Sequence, residues 1–159
     1  MAERTVTHST FVIERSFPAA PQQVFRALSD PARKRRWFAE GEGFELEKFE
    51  MDFRVGGFER SRFRFKASAA PVPEGTACAN DTVYLDIVPG QRIVLAYTMT
   101  IGEQRISASQ ATFELRPAGT GTQFVFTEQA AFFAGGDGPQ MREAGWRQLF
   151  EQLAKELAR

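Results

Sequence analysis

At 159 residues the chain is long enough for one domain with a substantial core, read here as 1–159 with its core at about 7–158, and its 43% hydrophobic and 25% charged residues are an ordinary globular balance. Twenty basic and twenty acidic side chains cancel, so no net field draws the chain to nucleic acid or an anionic membrane. One cysteine (Cys78) and one histidine (His8) exclude an internal disulfide, a cysteine-based zinc cluster and any multi-histidine metal site, and no metal or cofactor is expected.

From Thr7 to Phe17 the residues alternate, with Phe11, Ile13, Arg15 and Phe17 on one side, as in a half-buried strand. Pro18-Ala19-Ala20-Pro21 stops it, and Pro21 suits the first turn of a helix over Pro21–Ser29. Asp30-Pro31 reads as an N-cap and first helical position, which predicts a second short helix from about Pro31 to Phe38. Phe44–Arg54 is a strand whose apolar parity changes between Leu46 and Phe49, so a bulge is expected near Lys48. Gly56-Gly57 turns the chain into Phe58–Lys66, where Phe63 and Phe65 oppose Arg60, Arg62 and Arg64.

Ser68–Asn80, rich in alanine and proline, reads as a loop. Val83, Leu85 and Ile87 then alternate with Tyr84 and Asp86; Ile93, Leu95, Tyr97, Met99 and Ile101 form the cleanest alternation of all. Arg105–Arg116 and Gln123–Phe132 complete the strands, and Glu128 shares parity with Phe124 and Phe126. After Gly135–Gly138 the period changes: Trp146, Leu149, Phe150, Leu153 and Leu157 recur at threes and fours behind Pro139, with Arg142 among the polar residues that fill the other faces. Gly145 beside that stripe weakens a helix by about 1 kcal/mol relative to alanine, so a close backbone approach is expected there.

The expected fold is therefore α+β: a curved antiparallel sheet of about six to seven strands wrapped around a long C-terminal helix, with two short helices after the first strand. Several segments carry a resemblance in order: Ser16–Pro31, Arg36-Trp37-Phe38, Met51–Gly57, Asp86–Val94 and Ala144-Gly145-Trp146. They resemble the helix-grip fold of the START-like superfamily, and within it the domain of the 90-kDa heat-shock-protein ATPase activator homologues. The superfamily includes carriers, enzymes and chaperone regulators, so the likeness implies the scaffold more firmly than the chemistry.

Motifs for covalent chemistry are missing from the pattern. His8 lies near the chain start and Cys78 in the alanine-rich loop, neither with a catalytic partner in sequence. Ser107 and Ser109 have no glycine elbow, and Gly56-Gly57 opens no helix, so neither a hydrolase triad nor a phosphate loop is indicated. Arg33-Lys34-Arg35-Arg36 reads as a solvated basic face, with a weak anionic partner surface as the alternative. Glu128 is expected at the rim or in an ion pair, with Arg15 the candidate partner.

The sixteen phenylalanines make the concavity the functional lead, because a straight helix cannot fill a strongly curved sheet. Trp37 and Phe38 would close one end; Phe63, Phe65, Tyr97, Met99 and Phe113 would line the strands. Phe126 and Glu128 add the last strand, and Trp146 and Phe150 the helix. The leading expectation is a non-catalytic binding module for a small apolar or aromatic molecule. The alternatives are a regulator of a heat-shock chaperone ATPase, as the resemblance implies, or a polyketide cyclase-like or hydratase-like enzyme using Glu128, Arg15, Tyr84 or Tyr97. The expected partners exclude nucleic acid and membrane, the chain is a monomer or homodimer, and with neither a signal-peptide run nor about 18 consecutive apolar residues the expected compartment is the cytoplasm.

Overall fold

A computed structural model describes residues 5–41, 43–66 and 72–159. Seven strands form a single antiparallel sheet in the order β1-β7-β6-β5-β4-β3-β2. They are β1 (Val6–Phe17), β2 (Phe44–Met51), β3 (Phe58–Phe65), β4 (Ala77–Val88), β5 (Arg92–Ile101), β6 (Gln104–Ala118) and β7 (Gly121–Phe133). β2 to β7 follow one another as a meander, while β1 closes the far side by pairing with β7. The chain therefore has to travel from one edge of the sheet to the other between β1 and β2.

Two short helices make that crossing. Pro21 opens α1 (Pro21–Ser29), where the Gln23 side chain accepts from the Ala20 N–H at 3.1 Å. Asp30 stops α1 and caps α2 (Pro31–Lys34), accepting from the N–H groups of Ala32 and Arg33 at 2.9 and 3.3 Å. The expected second helix to Phe38 changes pitch instead: α2 runs into a π-helical turn over Arg35–Ala39. Trp37 is anchored there by its indole N–H, which donates to the Ala27 carbonyl at 2.8 Å.

Turns fall where the glycines are. Gly56 has φ of 81°, and a Cβ on Gly57 would collide with the Asp52 carbonyl oxygen, so the pair cannot be replaced without moving backbone. The same turn docks on β4, with Gly56 N–H to Tyr84 O at 2.8 Å and Tyr84 N–H to Gly57 O at 3.0 Å. The expected bulge in β2 lies between Leu46 and Lys48. Of the expected loop Ser68–Asn80, the part up to Pro71 lies outside the described residues, and β4 already begins at Ala77.

One strand inverts the expectation. Val83 and Leu85 are 48% and 46% exposed, while Thr82 and Tyr84 point inward. A register shift between Tyr84 and Asp86 then turns the chain towards its final residues.

The core sits where α3 (Gly138–Leu157) lies along β1 and β7 and meets the π turn. Trp146, Phe150 and Leu153 are buried against Phe113, Phe124 and Phe126; each such side chain contributes about 1.5–3 kcal/mol. Arg142, expected on the polar side of α3, is buried too, one turn before Trp146 on the same stripe. A smaller cluster of Phe63, Cys78 and Ala39 lies over β3 and β4, flanked by half-buried Phe38, Phe44, Leu46, Phe49, Phe65, Met99 and Ile101. Gly145 departs from expectation: a Cβ there would meet nothing within 4 Å. Among the described residues no helix is long and apolar enough to cross a membrane.

Candidate functional site

Inward alternation on β7 carries Glu128 into the core behind Phe124 and Phe126, where it is fully buried. A carboxylate there requires donors. Tyr97 Oη donates to Glu128 Oε1 at 2.7 Å, Trp146 Nε1 to the same oxygen at 2.9 Å, and Ser109 Oγ to Oε2 at 3.4 Å. Arg142 Nη1 stands 3.7 Å from Oε2 and donates to Tyr97 Oη at 2.9 Å. Arg142 is itself held by Asp137, at 2.7 and 2.9 Å, and by Ser107 Oγ at 2.8 Å.

The partner expected for Glu128 is therefore the wrong arginine. Arg15 faces Phe124 on β7, four residues along β1 from Phe11, the register partner of Glu128, and it reaches Glu151 near the solvent at 2.6 Å. Nor is Glu128 at a rim. Burial raises its pKa, against the lowering pull of the Tyr97 hydrogen bond and then of Arg142. The Tyr97 hydroxyl is raised by its burial and by Glu128, so it stays a proton donor.

A second buried network lies across the sheet, and sequence reasoning did not single it out. Lys34 Nζ pairs with Glu59 Oε1 at 2.6 Å, and Tyr84 Oη donates to the same oxygen at 2.6 Å. Burial, then the Glu59 charge, raises the Tyr84 hydroxyl as well. The signal was present: Glu59 shares parity with Phe63. Lys34 looked like one charge in a basic run, yet it alone of that run is buried.

Strand register joins the two networks. Glu59 on β3 faces Thr82 on β4, Thr82 faces Tyr97 on β5, and Tyr97 faces Ser109 on β6. These four inward residues form a polar row across the concave face. One step along, Ser61 faces Asn80, and Ser61 Oγ and Asn80 Oδ1 are buried with no hydrogen-bond partner among the described residues. Phe38 spans the row from above, its ring 6.2 Å from that of Trp146 and 4.9 Å from Lys34 Nζ. Half-buried Phe49, Met99 and Phe65 continue the apolar wall beyond it.

The remaining aromatic candidates divide. Phe113, Phe126 and Phe150 pack on Trp146 and on one another, with Phe126 to Trp146 centroids 4.5 Å apart and Phe126 to Phe150 5.1 Å. Phe63 and Phe65 both stack on Phe44, and Trp37 packs edge-on to Phe38. Cys78 is buried and its thiol pushed up to about 11, chiefly by desolvation, which leaves it a poor nucleophile near neutral pH. His8 is exposed on β1. Among the described residues no group of three or more acidic, histidine or cysteine side chains could hold a metal ion.

Residues 18–158 match the family model described as Activator of Hsp90 ATPase homolog 1-like protein. The chain belongs to this family. Within the Activator of Hsp90 ATPase homolog 1-like family, the chain is similar over its length to solved structures. The Mll3558 protein of Rhizobium loti is 48% identical, with a TM-score of 0.84, 96% of this chain and 99% of that one being covered. A protein of Rhizobium leguminosarum is 39% identical, with a TM-score of 0.87 and 99% of both chains covered. The AHSA1-like protein of Aeromonas hydrophila, at 17% identity over 94% of this chain and 92% of that one, with a TM-score of 0.68, shares the fold. No curated protein matches the chain.

The segments that carried the resemblance occupy the joints of this family fold. Ser16–Pro31 builds the end of β1, α1 and the α2 cap; Arg36-Trp37-Phe38 is the π turn; Met51–Gly57 is the turn docked on Tyr84. Their roles are structural, except that Phe38 and Trp146 also roof and flank the polar row.

Proposed function

We propose that the chain is a non-catalytic binding module that takes a small apolar or aromatic molecule carrying one hydrogen-bond donor. The molecule lies between the N-terminal half of α3 and the concave face of β3–β5, entering past Phe38 and Met99. The observation that carries this reading is a pair of buried groups with no partner among the described residues, Ser61 Oγ and Asn80 Oδ1, beside an apolar wall of half-buried side chains. Asn80 Oδ1 can only accept, so the ligand supplies a hydroxyl or amide N–H. The open side of Gly145, next to Trp146, gives the apolar body room. An enzyme reading has less support, because Oε1 of Glu128 is already engaged by Tyr97 and Trp146, and Oε1 of Glu59 by Lys34 and Tyr84, which ties both carboxylates into buried networks.

Two depressions on the described surface, about 250 and 480 Å³, lie elsewhere and contain none of these residues, and on this reading the seat opens by movement of the Phe38 ring. A native-mass-spectrometry and thermal-shift screen of lipids, phenols and aromatic amides tests the reading. A saturable ligand is expected, with affinity lost in Asn80→Leu and in Gly145→Phe. No ligand across the screen, or binding indifferent to both substitutions, removes it.

A second reading, regulation of a 90-kDa heat-shock chaperone ATPase, is favoured by the family description alone. Stimulation of a bacterial chaperone's ATPase by the purified protein would support it; no effect at saturating concentration would end it.

A further inference from the structure

The corner where α1 and α2 meet the end of α3 holds a different kind of site. Asp30 breaks the chain between the two short helices, so Arg26 in the last turn of α1 and Arg33 in α2 flank one corner. Arg36, in the π turn, reaches across to α3 and holds Glu156 with both ends of its guanidinium, Nε to Oε1 at 2.9 Å and Nη2 to Oε2 at 2.7 Å. Arg159 Nη1 stands 3.6 Å from the same carboxylate. These hydrogen bonds and charges, that of Arg36 first, hold the Glu156 carboxyl below its ordinary pKa, so it is an anion at neutral pH.

Between them lies a depression of about 250 Å³ lined by Gln23, Arg26, Arg33, Arg36, Glu156, Leu157 and Arg159. Four guanidinium groups thus face one carboxylate, and that carboxylate is shared by Arg36 and Arg159. Two other acids lie close to Arg36 but are not part of the wall: Asp30 spends an oxygen on the N–H groups of Ala32 and Arg33, and Glu40 pairs with Arg35 at 3.3 Å. Among the described residues the guanidinium groups of Arg26 and Arg33 make neither a hydrogen bond nor an ion pair, although Arg33 is half-buried. Like charges gathered around a single carboxylate repel one another, and an entering counter-charge relieves that repulsion. The volume is near the lower end of the roughly 300–1,000 Å³ typical of organic-ligand pockets, which leaves room for an anionic group and part of the molecule that carries it.

We infer that this cleft binds a small oxyanion, a phosphoryl or carboxylate group, gripped by Arg26 and Arg33 and held in the field of Arg36 and Arg159. Planar guanidinium forks match the paired oxygens of such groups, and Leu157 offers an apolar contact to whatever the anion is attached to. The site is separate from the concave face: none of its residues belongs to the Glu128 or Glu59 networks.

The test is calorimetric and thermal-shift titration of the whole chain at low ionic strength with pyrophosphate and with citrate, against sodium chloride matched in ionic strength. A saturable response to either anion and none to chloride is expected. Arg26→Ala/Arg33→Ala should weaken it about tenfold or more, with an intermediate loss in Arg26→Lys/Arg33→Lys, which keeps charge without the fork. Preference for pyrophosphate assigns a phosphoryl ligand, and preference for citrate a carboxylate. A chloride response equal to that of the anions, or an affinity unchanged in the alanine pair, overturns the inference. If circular dichroism shows that pair unfolded, unchanged affinity in the lysine pair overturns it instead.

Discussion

Replacing Glu128 by glutamine tests whether the network around it holds a charge or tolerates one. Glutamine keeps an oxygen for Tyr97 and Trp146, at 2.7 and 2.9 Å in the wild type, but offers nothing to titrate. The wild-type carboxyl has its pKa raised above the ordinary value of 4.5 by burial. A group raised in the folded state contributes stability that is complete below its unfolded pKa and is lost as pH rises through the folded one. The stability of the wild type relative to Glu128→Gln should therefore be greatest near pH 4 and decline above it, by at most about 1.4 kcal/mol per pH unit, before levelling off. By contrast Glu128→Ala strips the partner from Arg142, Tyr97 and Trp146 together and should cost about 3–5 kcal/mol. Urea denaturation of the three proteins across pH gives both numbers. A wild-type advantage over glutamine that grows with pH would mean that Arg142 outweighs burial, and would refute the reasoning.

Three further outcomes are expected. Gly145→Ala should stabilise the chain by about 1 kcal/mol, since a Cβ meets nothing within 4 Å; a fall in melting temperature would show that the helix face is closed there. Lys34→Met should cost about 3–5 kcal/mol by stranding Glu59, and adding Glu59→Gln should restore most of it because Tyr84 still has an oxygen to donate to; additive losses in the double mutant would argue against a coupled pair. Cys78, buried and with its thiol near 11, should resist alkylation at pH 8 in the folded protein and react fully in denaturant; rapid labelling of the native chain would contradict its placement.

Much of the fold was legible in local pattern, because Phe11, Ile13 and Phe17, or Ile93, Leu95 and Tyr97, leave no ambiguity about which face is buried. The β4 strand defeated that logic. Its apolar Val83 and Leu85 face outward, while Thr82 and Tyr84 turn inward, the Tyr84 hydroxyl being satisfied by Glu59 and its backbone by the docked Gly56-Gly57 turn. Polarity fails as a guide once a polar interior is internally paired. The same failure hid Arg142 and Lys34, whose types are surface types, although Arg142 stands one helical turn before Trp146. Glu128 was legible from parity alone; its partner was not, since the approach of α3 to β6 and β7 depends on tertiary packing that no local spacing records.

The central claim is that a molecule sits on the polar row beneath Phe38, and a crystal structure of the chain with the tightest ligand from the screen tests it most directly. Ligand atoms within hydrogen-bond distance of both Ser61 Oγ and Asn80 Oδ1, with the Phe38 ring displaced, are the predicted result. The ligand bound elsewhere, with Phe38 still packed on Trp146 as here, would contradict the account.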